Sequence, residues 1–250
     1  MMAMNRSGLR KIGLAAALAL VWLGAVTASG HADDRGVNPI WISPVLELEP
    51  DRPLSAVLDA PWEDAFDVII DLGAGQTRDT IRTCADYIRL GPAVVGAGSD
   101  QEYRVLRSTG TRCAALDLIG RAKPAERSFV KDFRFDKVAA HDLPPALALA
   151  VSPDEERRVK RAAAAGGSIL DVDRSITLHG LDTGSAELRA KDWKARLAVL
   201  ARGDFDGDGI EDMLVRRDAS KTGGTYASSD LFVLTRTTPS KRLHIITPAR

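Results

Sequence analysis

The sequence predicts an α+β fold, in which a disulfide-stapled helical N-terminal part precedes a C-terminal antiparallel β-sheet with a calcium-binding loop. Apolar residues at helical spacing predict helices over residues 78–90 and 111–122. From residue 176 onwards the apolar spacing changes to two, which is typical of half-buried strands. Helices followed by strands, rather than alternating with them, indicate the α+β class.

The first 32 residues have the pattern of a signal peptide. Arg6, Arg10 and Lys11 precede an apolar run over residues 12–26, and small residues follow up to Ala32. The run is short and alanine-rich for a transmembrane helix, although an uncleaved anchor is the alternative. We therefore expect cleavage after Ala32 and a periplasmic or secreted protein with no membrane contact after signal removal.

The composition of the remaining chain excludes several partners. It holds 31 Lys and Arg against 34 Asp and Glu, a formal charge of −3. Such a chain has no basic field for nucleic acid and no polybasic patch for a membrane surface. Its length is sufficient for one sizeable domain or two small ones.

Residues 33–142 divide into two predicted regions. Residues 33–60 form an extended arm interrupted by prolines, which ends in a short amphipathic segment near residues 54–58. Residues 61–142 form the helical part, which contains the two helices named above. Pro124, favourable in a first helical turn, predicts a third helix that runs towards Phe133.

Cys84 and Cys113 are the only cysteines of the chain. An even number of cysteines in an exported protein predicts a disulfide. Each cysteine lies on the apolar face of a predicted helix, so we expect the bond to staple the two helices together.

Residues 143–250 are predicted to form one helix and an antiparallel sheet. Ser152 as N-cap, Pro153 and Glu155 make a strong helix start, which is predicted to end near Gly166. Six segments at strand spacing follow: 176–178, 186–190, 195–200, 212–215, 230–234 and 243–246.

An acidic stretch, residues 204–212, joins two of these strands, and we call it the Asp loop. It contains four aspartates and two glycines: Asp204, Asp206, Gly207, Asp208, Gly209 and Asp212. Alternate spacing in a tight loop lets the first three carboxylates point at one centre, and hard oxygen donors favour calcium before magnesium. The alternative is an acidic turn without a metal. An EF-hand is excluded because Val215 stands where it requires glutamate.

The Asp loop resembles the calcium loop of FG-GAP (integrin-alpha-like, VCBS-type) repeats, D-x-D-x-D-G-x-x-D followed by a hydrophobic strand, here 213–215. The resemblance covers about a dozen residues in a single copy. It implies calcium ligands from five residues: Asp204, Asp206, Asp208, Asp212 and the Ile210 carbonyl. It also implies that Phe205 packs beneath the loop.

The sequence favours a non-enzymatic, exported calcium-binding protein that acts as an interaction or structural module, with a protein partner that it does not identify. The alternative is a metal-assisted hydrolase that uses the same cation. No nucleophile elbow, zinc-protease motif or phosphate-binding loop is present, and no catalytic residue is assigned. His141, His179 and His244 are expected to be structural, although His179 or His244 could supply a base in the hydrolase alternative.

Overall fold

The computed structural model describes residues 38–39 and 53–248. The predicted signal peptide and most of the predicted arm lie outside these residues. Two described residues of the arm, β1 (Asn38–Pro39), pair antiparallel with Ala201 and Arg202. The short segment predicted near residues 54–58 is confirmed as α1 (Leu54–Leu58).

A small sheet and two helices follow α1. Their bounds are β2 (Phe66–Asp71), β3 (Gln76–Ile81), α2 (Cys84–Leu90), β4 (Val94–Ala97) and α3 (Asp100–Arg121). The three strands pair antiparallel in the order β3-β2-β4. Val68, Ile81 and Leu106 form the centre of the apolar cluster between this sheet and the helices.

The helix predicted over residues 78–90 is wrong in its first half. Residues 76–81 form β3, because pairing with β2 satisfies their backbone and buries Ile81. The helix begins at Cys84, where the Thr83 side chain accepts the Asp86 N–H as a cap. The second helix is confirmed but is longer than predicted, since Ser99 caps it at Asp100.

The predicted disulfide is confirmed. Cys84 in α2 and Cys113 in α3 are bonded, with their Cα atoms 5.0 Å apart. Both residues are buried beside Val57 and Leu116, so the bond lies inside the contact between α1, α2 and α3. A disulfide indicates an oxidising compartment. Among the residues that the structure describes, no helix combines the length and apolar character needed to cross a membrane.

The third predicted helix, from Pro124 towards Phe133, is wrong. That segment contains the two-residue strand β5 (Arg127–Ser128) and turns. The backbone N–H groups of Glu126 and Arg127 donate to the carbonyl of Gly209. They are thus bonded to a distant segment instead of a helical turn, which the local sequence does not reveal.

The C-terminal sheet is confirmed as antiparallel along its main path. Two helices precede its strands, α4 (Pro153–Ala164) and α5 (Ile169–Val172). The strands are β6 (Thr177–Gly180), β7 (Ser185–Arg189), β8 (Trp193–Gly203), β9 (Ile210–Lys221), β10 (Ala227–Thr235) and β11 (His244–Ile246). The strand order is β11-β10-β9-β8-β7-β6. The start of α4 has the predicted capping box between Ser152 and Glu155.

Both faces of this sheet are partly covered. One face packs against the chain before α4, with Leu143, Leu147, Leu188 and Met213 fully buried. On the other face, Ala115 of α3 belongs to a cluster that also contains Phe205 of the Asp loop. The Asp loop therefore lies where α3 meets the end of the sheet.

Candidate metal centre

The Asp loop connects β8 to β9, as predicted. Gly203 at the end of β8 pairs with Asp212, so the ladder closes the loop at its base. Gly207 and Gly209 have φ angles of 88° and 78°, in the region that residues with a Cβ avoid. These two glycines turn the chain back within a few residues.

The turn brings three of the predicted ligands together. Carboxylate oxygens of Asp204, Asp206 and Asp208 all lie within 4.8 Å of one another, and this group could hold a metal ion. Asp204 is buried, whereas Asp208 is exposed, so the cluster opens from the protein interior towards solvent.

Backbone donors fix these carboxylates in place. The two oxygens of Asp204 accept the N–H groups of Gly207 and Gly209 at 2.6 and 3.0 Å. Asp206 accepts the Asp208 N–H at 3.2 Å, and Asp208 accepts the Ile210 N–H at 2.7 Å. The side chains are therefore held by the loop's own backbone instead of being splayed into solvent.

The fourth aspartate, Asp212, is fully buried beneath the loop. Its Oδ2 accepts the Phe205 N–H at 3.0 Å, and its Oδ1 has no hydrogen-bond partner among the described residues. The Thr235 hydroxyl lies close enough to favour the ionised carboxylate, but outside hydrogen-bonding geometry. Asp212 is not part of the three-carboxylate group.

Burial and neighbouring charge both affect the acidity of this site. Burial raises the pKa of Asp212 to about 6, and the carboxylates of Asp206 and Asp208 add to that rise. The pKa of Asp206 is also raised, by burial first and then by the charges of Asp208 and Asp204. The geometry thus holds negative charges together at a cost that a bound cation would relieve.

The remaining residues of the resemblance lie at the base of the loop. Ile210 begins β9, and its side chain is buried. Phe205 is buried in the cluster with Ala115, Ala201 and Leu214. The expected packing of Phe205 beneath the loop is therefore confirmed.

The segment after α3, residues 123–127, holds the Asp loop through backbone hydrogen bonds that the sequence did not predict. Lys123 and Asp204 exchange two backbone hydrogen bonds of 2.9 Å each. The Gly209 carbonyl accepts the N–H groups of Glu126 and Arg127 at 2.9 and 3.1 Å. Since these partners lie about eighty residues from the loop, no local sequence signal identifies the contact.

The two histidines considered as alternative bases for a hydrolase lie in the edge strands of the main path of the sheet. His179 lies in β6 and His244 in β11, at opposite edges of the main path of the sheet. Five strand spacings separate these edges, on the order of 24 Å. His141 is exposed and ends a 3₁₀ turn outside the sheet, whose other two residues are buried.

Comparisons with known proteins assign the chain to no family. No family model matches the sequence, and the searches of curated proteins and of solved structures found no match. The resemblance to FG-GAP loops therefore rests on the residues of the Asp loop alone, and it stays a prediction.

Proposed function

We propose that the protein is an exported calcium-binding module, in which the ion fixes the Asp loop and the loop supports an interaction or structural role. The observation that carries the proposal is the convergence of Asp204, Asp206 and Asp208 at one point. By the FG-GAP resemblance, Asp212 and the Ile210 carbonyl complete the ligand set.

The chemistry of the donors favours calcium over other ions. All the proposed ligands are hard oxygen donors, and no cysteine or histidine lies within the Asp loop. Calcium tolerates a flexible shell of six to eight oxygens, whereas magnesium requires near-ideal octahedral geometry. A loop that offers carboxylates and a backbone carbonyl from successive turns suits the more tolerant ion.

A buried acid adds support for a cation. Asp212 is fully buried, and one of its oxygens has no partner among the described residues. An ionised carboxylate in such a position is costly unless a cation or donor faces it. A divalent ion beside Asp212 would supply that missing partner.

The non-enzymatic role is favoured over a hydrolase because the sequence holds no nucleophile elbow, zinc-protease motif or phosphate-binding loop. Neither His179 in β6 nor His244 in β11 belongs to the carboxylate group of the Asp loop. Export is supported by the disulfide, which requires an oxidising compartment, and by the signal-like pattern of the first 32 residues.

The test compares thermal unfolding in EDTA and in millimolar calcium. For a Kd of about 10⁻⁴ to 10⁻³ M, calcium at ten to a hundred times Kd adds about 1.4–2.7 kcal/mol. That stabilisation raises the Tm by about 3–10 °C in a domain of this size. Magnesium should give a smaller rise at the same concentration.

Asp206→Ala is the most informative variant, because Asp206 accepts only one short-range backbone hydrogen bond, from Asp208. We expect it to fold in EDTA and to lose the calcium-dependent rise in Tm. Asp64→Ala, an exposed acid distant in sequence from the Asp loop, is the matched control and should keep the full rise. Identical wild-type melting curves in EDTA and calcium would show that the proposal is wrong.

A further inference from the structure

The edge of β10 beside α3 is a feature that the calcium site does not use. β10 pairs with β9 over residues 227–234, but with β11 only over residues 233–235. Over residues 227–232 its other edge has no strand partner in the part of the chain that the structure describes. Residues 233–235 are buried, whereas residues 227–232 are exposed or half-buried.

A proline explains why β11 does not continue along this edge. Ile246 pairs with Val233, so the same register would place Pro248 opposite Leu231. Proline has no N–H and cannot donate to a ladder. The backbone groups on this edge before Val233 therefore have no strand partner among the described residues, although the Ser229 carbonyl accepts the Thr111 hydroxyl of α3.

A cleft of about 300 Å³ follows the same edge. Four consecutive residues of β10 line it, residues 229–232. Because successive side chains of a strand point to opposite faces, a site on one face would be lined by alternate residues. Four consecutive lining residues therefore indicate that the cleft runs along the strand edge.

Helices α2 and α3 form the opposite wall. They contribute Tyr87, Arg107, Gly110, Thr111 and Ala114. A Cβ at Gly110 would lie 1.8 Å from the Tyr87 ring, so only glycine lets that ring rest against α3. The Thr111 hydroxyl donates to the Ser229 carbonyl at 3.0 Å and fixes α3 beside the strand.

The cleft combines an apolar lining with one positive charge that has no carboxylate partner among the described residues. Leu231 and Phe232 are apolar and half-buried, the state expected of strand residues that lack a neighbour on one side. Asp230 is neutralised by Arg217 at 2.7 Å. Arg107 is exposed and has no carboxylate partner among the described residues. The uncompensated charge of the cleft is therefore positive.

We propose that the β10 edge binds an extended peptide segment of a partner protein, which adds a strand beside residues 227–232. Strand addition supplies backbone hydrogen bonds, and side-chain pockets supply specificity. An apolar side chain of the peptide enters the cleft against Leu231, which packs on the α3 side of the sheet, and an acidic side chain pairs with Arg107. The inference rests on the interaction role proposed above, for which it defines the partner's chemistry.

The probe is a phage-displayed library of random linear peptides of about ten residues, the length of a long strand, selected on the immobilised full chain. We expect enrichment of sequences in which an acidic residue flanks β-branched or aromatic residues. The enriched peptide, labelled with fluorescein, is then titrated by anisotropy. Hydrogen exchange should slow at the alternate amides of residues 227–232 that face away from β9 when the peptide binds.

Two variants test the site, one by changing the volume of the cleft and the other by changing its charge. Ala114→Trp fills the cleft, and Arg107→Glu reverses its charge; each should weaken peptide binding by about tenfold or more, equivalent to about 1.4 kcal/mol. Arg104→Glu makes the same charge change on an exposed position of α3 that does not line the cleft, and it should leave the affinity unchanged. Unaltered Tm values confirm that the variants are folded.

Three results would overturn this inference. The first is that selection enriches no peptide, and the second is that Ala114→Trp leaves the affinity of the enriched peptide unchanged. The third is that the protein alone forms a dimer that Ala114→Trp dissociates, because a second copy would then occupy the cleft. Calcium binding is scored separately, from the melting curves without peptide. A failure of peptide binding and a failure of the calcium proposal are therefore distinguishable.

Discussion

The α2–α3 pair and the Asp loop each hold distant parts of the chain together, but by different means. Between the helices, the Cys84–Cys113 bond is covalent and buried among apolar side chains. At the Asp loop, Lys123 and Gly209 take part in backbone hydrogen bonds around clustered carboxylates. The contact between the helices requires only that the two cysteines are oxidised. In the Asp loop, the clustered carboxylates repel one another, and a bound cation would reduce that repulsion.

This contrast defines which condition each region should respond to. The stability contributed by the disulfide depends on the redox state and not on calcium. The stability contributed by the proposed calcium site depends on the ion and not on reductant. The first of three predictions, ordered from the largest expected effect to the smallest, tests whether these contributions are separate; the other two test the Asp loop and a contact that depends on neither.

The largest effect is expected from removal of the disulfide. The bond closes a loop with a sequence separation of 29 residues, and loss of its constraint on the unfolded chain should cost about 3–4 kcal/mol. The Cys84→Ala/Cys113→Ala variant is measured by urea unfolding in EDTA. The calcium-dependent rise in Tm should persist in this variant, and its disappearance would mean that the two contacts are coupled.

The second effect is expected at the turn of the Asp loop. Gly207 has a φ of 88°, and its N–H donates to Asp204. Gly207→Ala should therefore lower the free energy of unfolding by about 1–2 kcal/mol, through strain at positive φ. It should also weaken calcium binding, because the Asp204 carboxylate loses its alignment.

Gly224→Ala is the matched control for that change. Gly224 lies in the turn between β9 and β10 without a positive φ, and a Cβ there would be in ordinary contact with Lys221 at 3.5 Å. We expect little change in the urea midpoint or in calcium affinity. Equal losses at both glycines would show that turn strain in the Asp loop is not the cause.

The sequence predicts elements whose signals are local. Ser152 and Glu155 form their capping box within a single turn, so the start of α4 is predictable from four residues. The first half of β8 alternates buried and exposed residues, and the Asp loop lies between β8 and β9 as expected. The aspartates at alternate positions predict the three carboxylates that lie together, whereas Asp212, the fourth predicted carboxylate, lies outside that group.

The elements that the sequence did not predict depend on distant partners. Residues 76–80 are polar, and they become a strand only through pairing with β2. The alternation of residues 66–71, followed by Gly73 and Gly75, is a hairpin signal that the helical interpretation of residues 61–142 overlooked. Two features have no local signal, because they depend on which segments meet in the fold: the hydrogen bonds between Lys123 and Asp204, and the lack of a strand partner for residues 227–232 among the described residues.

The smallest effect is expected at the contact between α4 and the sheet, which involves neither a disulfide nor a metal site. Glu155 accepts two backbone N–H groups, from Val151 and Ser152, and it pairs with Lys221 of β9 at 2.8 Å. Although burial opposes ionisation, the hydrogen bonds from Lys221, Val151 and Ser152 outweigh it and lower the pKa of Glu155 to about 2.

Because the pKa of Glu155 is lower in the folded state than its usual 4.5, ionisation favours folding. The resulting stability is complete above about pH 5 and is lost as the pH falls from about 4.5 towards 2. Glu155→Gln should therefore cost about 1 kcal/mol at pH 6, the usual size of a capping contribution, and progressively less as the pH approaches 3. Urea unfolding of both proteins in EDTA at several pH values measures this difference, and the titration of other acids cancels in the comparison. A difference that stays constant from pH 6 to pH 3 would mean that the Glu155 side chain contributes by packing and not by charge.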